Sequence, residues 1–516
     1  MMFNRVSPNH LTARLDADFY KPEFVSNEAF LKKNGANRLA KLIDIKTSGY
    51  GVLPSSNEYC DEGIPLIRGG DLSFGEVISP SVCAPLSYKD GKGTAQEGDV
   101  LILIKGACID GPEGVARVKQ VNHGHLFNGS CFRLAFTNRE IDGPFFIAYS
   151  QSKFFLKQKK RQVANTGVSY NDEESIHGYL IPELEIGVKK YIGDKIRQAE
   201  QLRAWAKRSE MRALELFNKQ VDWSFEVLKV GKINKVLVSE LNGRLDLKYN
   251  SPARLALLRH IKNKQITTTE LVRLVDISAM IGWKGLTTEY YTDFGPWLLR
   301  GVEFRDGVIE FEKLVSVDRD KYLEQPQIHL KEGDIAFSKD GTIGKAIVIP
   351  ELANDMAAGS TIARLRLKKV NEINPYYLEL VLNHDFVQVQ VESFATGIAQ
   401  PHITQEWIAQ LIIPRVKYEQ VIGEYLSIHH LANNNSKILI QAAKTLVESL
   451  IEGQLTERQL IEAQQALEDG DNSLDQAILS KLSAEGYAIE GATPLFSDVD
   501  ELYSLLEDAA QDEAEE

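Results

Sequence analysis

Gly63-Ile64-Pro65-Leu66-Ile67-Arg68-Gly69 and Gly295-Pro296-Trp297-Leu298-Leu299-Arg300-Gly301 decide the architecture of this 516-residue chain. Each is a short apolar run closed by Arg-Gly, and the two lie 232 residues apart. On either side of them more pairs recur in the same order. Arg14-Leu15-Asp16 returns as Arg244-Leu245-Asp246, and Leu42-Ile43-Asp44-Ile45 as Leu274-Val275-Asp276-Ile277. Glu97-Gly98-Asp99-Val100 returns as Glu332-Gly333-Asp334-Ile335, and Gly129-Ser130 with Arg133 as Gly359-Ser360 with Arg364. Pro144-Phe145-Phe146 matches Pro375-Tyr376-Tyr377, Thr166-Gly167 matches Thr396-Gly397, and Ile181-Pro182 matches Ile413-Pro414. The offset stays between 230 and 235, so the chain is an internal duplication of one module.

Each copy changes character in the same way along its length. Short β-rich runs punctuated by Gly, Pro and Asp come first, and then a turn into an apolar strand. A short helix is expected after Pro144 and after Pro375. Beyond Ile-Pro the period changes to alternating threes and fours. It is carried by Ile192, Ile196, Ala199, Leu202, Ala206, Ala213 and Leu216 in the first copy. In the second it is carried by Val421, Tyr425, Ile428, Ala432, Leu439, Ala443, Leu446 and Leu450. That spacing is a coiled-coil seam. The expected fold is α+β: two mixed β-rich domains separated by two long antiparallel coiled-coil helices, in a pseudo-twofold internal repeat. The expected boundaries are 1–188 and 223–417 for the domains, 189–222 and 418–456 for the helices, and 457–516 for a tail. A helix of about 34 residues spans roughly 50 Å.

Hydrophobic residues make up 43% of the chain and charged residues 25%, a soluble composition with enough apolar mass for several cores. The N-terminus lacks a signal-peptide core, and no apolar run is long enough to cross a membrane, so a cytoplasmic location is expected. Cys60, Cys83, Cys108 and Cys131 are too widely spaced for a zinc motif and read as reduced thiols. The net charge of −13 is unevenly placed. Residues 453–516 hold 17 acidic and 2 basic side chains, which leaves 57 basic and 55 acidic residues in the body. A near-neutral body binds nucleic acid when its bases cluster on one face. Lys189, Lys190, Lys195, Arg197, Arg203, Lys207, Arg208 and Arg212 on the first helix are either a solvated face or a track for phosphates or an acidic partner. The tail reads as short amphipathic helices with a helix start near Ser497, then a disordered acid end. It is a solubilising appendage, a docking segment for a partner, or a charge mimic in a DNA groove.

The order domain, helix, domain, helix resembles the specificity subunit of type I restriction–modification systems. PLIRGGDL and WLLRGVEF, EGDVLILIKG and EGDIAFSKDGTIGKAIVI, and TGIAQPHITQEWIAQLIIP (Thr396–Pro414) carry the resemblance, which covers about residues 10 to 456. The first copy departs from it at Thr166-Gly167-Val168-Ser169-Tyr170-Asn171, which lacks Ala-Gln-Pro. The resemblance implies that each domain is a target-recognition domain reading half of a split DNA sequence. It also implies that the helices hold two methyltransferase subunits, which use S-adenosylmethionine, and that a motor-nuclease subunit can join. The chain itself would hold no cofactor, no metal and no catalytic residue. The DNA-binding candidates are Arg68, Lys92, Lys105, Arg161, Thr166, Lys284, Arg300, Lys339, Lys345, Thr396 and Gln400. The partner-binding candidates are Ile196, Leu202, Arg203, Leu439, Leu446 and Leu450.

Arg68 and Arg300 have two open readings: a fork onto guanine or phosphate, or a pair with Asp71 and Glu303 that organises the loop. Residues that differ between copies are the better base readers, because two half-sites differ. The stretches 84–96 and 280–294 qualify, with Lys89, Lys92, Trp283, Lys284, Tyr290 and Tyr291. The alternative function is a methyltransferase or nuclease with built-in recognition domains. Asn374-Pro375-Tyr376-Tyr377 is similar to the Asn-Pro-Pro-Tyr loop that holds a flipped adenine. It lacks the second Pro, however, and Gly143-Pro144-Phe145-Phe146 has no Asn, so a helix start explains both. Gly341-Thr342-Ile343-Gly344-Lys345 lacks the first Gly and the final Ser or Thr of a phosphate loop, and reads as a tight turn. No carboxylate cluster suited to Mg²⁺ stands out. His429-His430 reads as one packing and one exposed residue. A repeat-built interaction protein without a nucleic-acid role is the third option.

Overall fold

The computed structural model describes residues 11, 16–89, 93–106, 108–163, 170–223, 236–238, 245–280, 286–305, 307–369, 371–397 and 400–515. It has two compact units: Met1–Arg203 with Asn435–Glu516, and Ala204–Asn434. Both mix helices with several small sheets, so the α+β expectation holds.

In the first unit the strand Val100–Leu103 is fully buried and runs antiparallel to Cys131–Leu134, with Leu101 opposite Arg133. It belongs to a six-stranded sheet. A second sheet pairs Ile64–Ile67 in parallel with Leu126–Phe127. The second unit repeats this plan. Ile335–Ser338 is fully buried against Ile362–Leu367, and Tyr291–Leu299 runs parallel to Met356–Ala358 at its far end. An uninterrupted apolar run forms such strands because both faces are covered. The Glu-Gly-Asp motif that recurs before each buried strand has a local reason. Gly98 and Gly333 hold φ of +81° and +79°, which a side chain resists. The carboxylates of Asp99 and Asp334 then accept the N–H groups of Gln96 (3.0 Å) and Lys331 (2.8 Å) and close the turn.

The helices of each unit are tied to its last strand by a matched pair of buried amides. Gln158 accepts from the N–H of Leu180 (2.7 Å) and donates to its carbonyl (2.9 Å). Gln390 does the same to Ile412, at 2.8 and 3.0 Å. Tyr149 donates to the Leu180 carbonyl, and Tyr377 to that of Pro414, both at 2.7 Å. In the second unit the helix begins at Pro375 as expected, capped by Asn374. In the first it begins earlier: Arg139–Ser150 is capped by Asn138 and contains Pro144. A proline inside a helix leaves the carbonyl four residues back without its N–H partner. Here that carbonyl belongs to Glu140, and the Arg197 guanidinium donates to it at 2.5 Å.

The long helices span Ile186–Val221 and Glu419–Ile451. Within the second unit they run antiparallel. His429 meets the Ala206 carbonyl (Nδ1 to O 3.0 Å), and Gln220 accepts from the Lys417 N–H (2.9 Å). The first helix buries its expected seam at Ile192, Ile196, Ala199, Leu202, Ala206 and Ala213. The start of the second departs from expectation. Ile422, Leu426 and His429 are buried while Val421 is exposed. Two stripes one residue apart share the same spacing, and the true one contains a histidine that a hydrophobic pattern skips. His430 is not the exposed member of its pair either. It is mostly buried and hydrogen-bonded through Nε2 to Glu379 (2.8 Å).

The tail is neither a disordered acid end nor a loose appendage. It forms helices Glu457–Glu468, Ser473–Leu479 and Val499–Ala514 within the first unit. The last is capped by Asp498 rather than Ser497. Asp475 is wholly buried against Lys195, itself wholly buried, at 2.6 Å. It also accepts from the Tyr191 and Tyr503 hydroxyls. Burial beside that carboxylate pushes both phenols well above their usual range. Lys190 reaches Glu468 at 2.5 Å. Part of the basic face of the first helix therefore serves the chain's own acidic tail.

Breaking one side of a buried ion pair leaves an unpaired charge and costs about 3–5 kcal/mol. Asp475→Ala is expected to lower stability by that order in urea unfolding, and deletion after Gly470 to act in the same direction. The paired apolar replacement Lys195→Met with Asp475→Leu should lose clearly less than Asp475→Ala alone.

Candidate nucleic-acid interface

In each unit the loop after the Arg-Gly run and the turn after Gly-Ser meet the chain that leaves the buried strand. In the second unit that strand runs into Lys339. The N–H of Lys339 donates to the Thr361 carbonyl (2.8 Å), and its carbonyl accepts from Ile403 N–H (2.9 Å). Gly341 N–H donates to the Pro401 carbonyl (3.0 Å), and Thr396 and His402 exchange backbone hydrogen bonds. The Thr361 hydroxyl accepts from Gly301 N–H (3.2 Å), which brings in the Arg300 loop. Four segments spread over a hundred residues thus form one loop cluster. Thr396 and Gln400 are exposed there.

The first unit builds the same cluster. Ile104 N–H donates to the Ser130 carbonyl, and the Ile104 carbonyl accepts from Asn171 N–H, both at 2.9 Å. Lys105 bridges to Tyr170, and Asn128 N–H donates to the Ile67 carbonyl beside Arg68 (2.9 Å). A groove of about 330 Å³ opens here, lined by Tyr50, Gly51, Leu53, Lys105, Gly129 and Tyr170. Leu53 is 81% exposed, and Lys105 is exposed with no ion pair among the described residues. The backbones approach so closely that a Cβ on Gly51 would sit 2.2 Å from the Phe127 carbonyl oxygen. Tyr50, Leu53 and Tyr170 escape a search by charge, because apolar and aromatic groups on a surface leave no mark in a sequence.

Arg68 and Arg300 carry out the loop-organising role. The Arg300 guanidinium is 2.7 Å from the nearly buried Glu303, whose other oxygen accepts the Arg300 N–H (2.8 Å). That hydrogen bond raises the arginine's pKa further. Asp71 accepts the Arg68 N–H at 2.7 Å, and the Arg68 guanidinium also reaches Ser81 at 2.8 Å. Both arginine side chains remain 34% exposed, so a further contact to an anion is open to them.

Other candidates move. Arg161 is buried, stacked 4.1 Å from the Phe19 ring and paired with Glu28, so it holds the N-terminal segment and cannot touch DNA. Lys339 is largely covered and paired with Asp340. Gly341-Thr342-Ile343-Gly344-Lys345 is the expected turn between antiparallel strands. Lys345 lines a separate cavity of about 520 Å³ with Glu210, Glu379, His429 and His430. Ile196, Leu202, Leu439 and Leu446 are buried within the chain, Leu450 is half-buried, and Arg203 is 15% exposed beside Glu76. None of them is a free docking surface, because the seam that attracts a partner is consumed by the chain itself. Lys189 pairs with Asp142 (2.9 Å) and Arg197 with Asp194 (2.5 Å), so they are not free for phosphates. Lys92, Thr166, Trp283 and Lys284 lie outside the described residues. Among those described, no group of three or more His, Cys, Asp or Glu is placed to hold a metal ion. No helix among them is long and apolar enough to cross a membrane.

Residues 288–443 match the family model for the type I restriction modification DNA specificity domain. No curated protein sequence matches the chain significantly. Among solved structures, the chain is similar to the S subunit of a type I restriction–modification system from M. genitalium. The identity is 11% and the TM-score 0.39, over 83% of this chain and 95% of that one. It is also similar to the HsdS subunit from Thermoanaerobacter tengcongensis, at 14% identity and a TM-score of 0.28, over 81% and 97%. The family match bears out the resemblance seen in the sequence and gives this segment the character of a DNA specificity domain.

The loop beyond Lys105 is held by Lys159, a buried lysine whose ammonium donates to the Gly111 carbonyl at 2.6 Å. Burial lowers its pKa to about 8. The sign follows from linkage: between pH 8 and the ordinary lysine value, the unfolded chain binds the extra proton, so stability rises with pH there. Lys159→Met should remove that rise. Urea unfolding at pH 7 and at pH 9.5 checks it: the stability of the variant relative to the wild type should be more favourable at pH 7 than at 9.5.

Proposed function

We infer that this chain, which carries a type I restriction–modification DNA specificity domain, is the specificity subunit of such a system: it recognises DNA and leaves the chemistry to other subunits. The observation that carries the reading beyond the matched segment is the repeated loop cluster. Residues 1–203 of the first unit lie outside the family match. They nonetheless join the strand end at Ile104 to Ser130 and Asn171, and Asn128 to Ile67, by backbone hydrogen bonds that correspond to those of Lys339 with Thr361 and Ile403 and of Gly359 with Leu299. Two modules of one design call for a split target, each reading one half-site. We assign the fixed gap between the halves to the two long helices, since 36 and 33 residues of continuous helix make a stiff element.

The target is double-stranded DNA. Two methyltransferase subunits, carrying S-adenosylmethionine, act at the recognised sites, and a motor-nuclease subunit completes a restricting complex. The work is done in the cytoplasm, where DNA is. Because the coiled-coil seam is buried, the methyltransferases must dock on outer faces of the helices, such as the one presenting Lys207, Met211 and Glu215. The near-neutral body makes affinity depend on a few well-placed contacts, in addition to the general attraction of phosphates for basic surface.

Co-expression with the methyltransferase subunit, followed by mapping of methylated adenines, tests this. The expected result is a bipartite motif with a fixed gap that requires this chain. Replacing the recognition region of the first unit with that of another such protein should change one half of the motif only. Methylation that does not depend on this chain, or a motif without a gap, contradicts the reading.

A further inference from the structure

We propose that two structurally equivalent positions, Lys105 with Tyr170 in the first unit and Asp340 with His402 in the second, each read one base pair of their half-site, with opposite hydrogen-bonding polarity. This rests on the reading of the chain as a DNA specificity subunit and names the residues that give the halves different sequences.

The equivalence comes from backbone hydrogen bonds. Asn171 N–H to Ile104 carbonyl in the first unit corresponds to Ile403 N–H to Lys339 carbonyl in the second, both 2.9 Å. One residue on, Lys105 bridges to Tyr170, and Asp340 bridges to His402. The same register therefore delivers a Lys–Tyr pair in one unit and an Asp–His pair in the other, at the rim of the loop cluster. A shared frame with unlike side chains is what two readers of unlike half-sites require.

The polarity follows from chemistry. Lys105 is exposed, and an ammonium only donates, so it suits the O6 and N7 acceptors of guanine in the major groove. Tyr170 stands beside it, 39% exposed, with its hydroxyl 3.2 Å from that of Tyr50, which accepts the Glu173 N–H at 3.0 Å. Those contacts fix the ring as a wall of the groove. In the second unit His402 Nδ1 is hydrogen-bonded to Asp340. A carboxylate only accepts, so the proton between them sits on Nδ1, and the neutral tautomer set in this way presents Nε2 as an acceptor. The His402 side chain is 40% exposed, and Nε2 has no hydrogen bond among the described residues. An acceptor there suits the amino group of cytosine or adenine. Asp340, itself held by Lys339, is the positioning residue that fixes the tautomer.

The test uses the full complex of this chain with its methyltransferase, at one salt concentration. The probes are duplexes that carry each of the four base pairs in turn at every position of the mapped motif. The wild type should discriminate roughly five- to fiftyfold at one position of each half. It should prefer guanine in the half read by the first unit, and cytosine or adenine in the half read by the second. Lys105→Met should reduce that preference below about threefold in the first half alone, and His402→Phe in the second half alone. Asp340→Asn should weaken the second preference while His402 remains. Unchanged discrimination in the other half reports that each variant is folded, and His402→Asn replaces His402→Phe if it is not. Unchanged profiles for Lys105→Met and His402→Phe overturn the proposal. So does an equal loss of affinity across all duplexes, which marks a phosphate contact. If the wild-type complex shows no split motif at all, the assignment as specificity subunit fails first.

Discussion

The structure depends on what happens where a fully buried strand ends. Val100–Leu103 and Ile335–Ser338 are covered on both faces, so the chain leaving them carries polar backbone groups out of an apolar interior. Those groups are satisfied by a segment more than sixty residues later: Ile104 by Asn171, and Lys339 by Ile403. Loops distant in sequence are thereby pinned side by side at one end of each unit. The frame fixes where side chains stand and leaves their chemistry open, which is the property a recognition module needs.

Helices support that frame from behind. Gln158 and Gln390 each spend both ends of the amide on a single backbone residue of the final strand, so the helix layer cannot slide without leaving polar groups unpaired. The tail adds a fastening that the second unit lacks among its described residues. Its buried Asp475 turns the acidity that made the whole chain look unsuited to DNA into an internal partner for Lys195. A net charge summed over a chain says little when its opposite signs neutralise one another inside the fold.

Much of the fold was legible because it is written twice. The Glu-Gly-Asp landmark marks a turn whose positive φ favours its glycine, and the Arg-Gly landmark marks a loop in which an acid three residues on accepts from the arginine, in both units. The helical seam was legible where it is apolar and misread where His429 replaces an aliphatic residue. The interface was less legible. Basic residues made up most of the candidates, yet Arg161, Lys339 and several lysines of the first helix are engaged with acids of the same chain, which no spacing rule reveals. Asp340 and His402 carry no net positive charge as a pair, and Tyr50 and Leu53 have none, so a search by charge passes over all four. The tail was half legible: its amphipathic faces were visible, but a single buried aspartate that holds it to a helix 280 residues away was not.

On this reading the two equivalent loop clusters are the DNA face of the molecule. Hydrogen exchange of the full-length chain, in its methyltransferase complex, with and without a duplex bearing its target, decides whether they are. Protection should appear in both units together, at residues 104–106 with 170–173 and at 339–341 with 400–403. Protection confined to one unit, or to the long helices with both clusters unchanged, would contradict it.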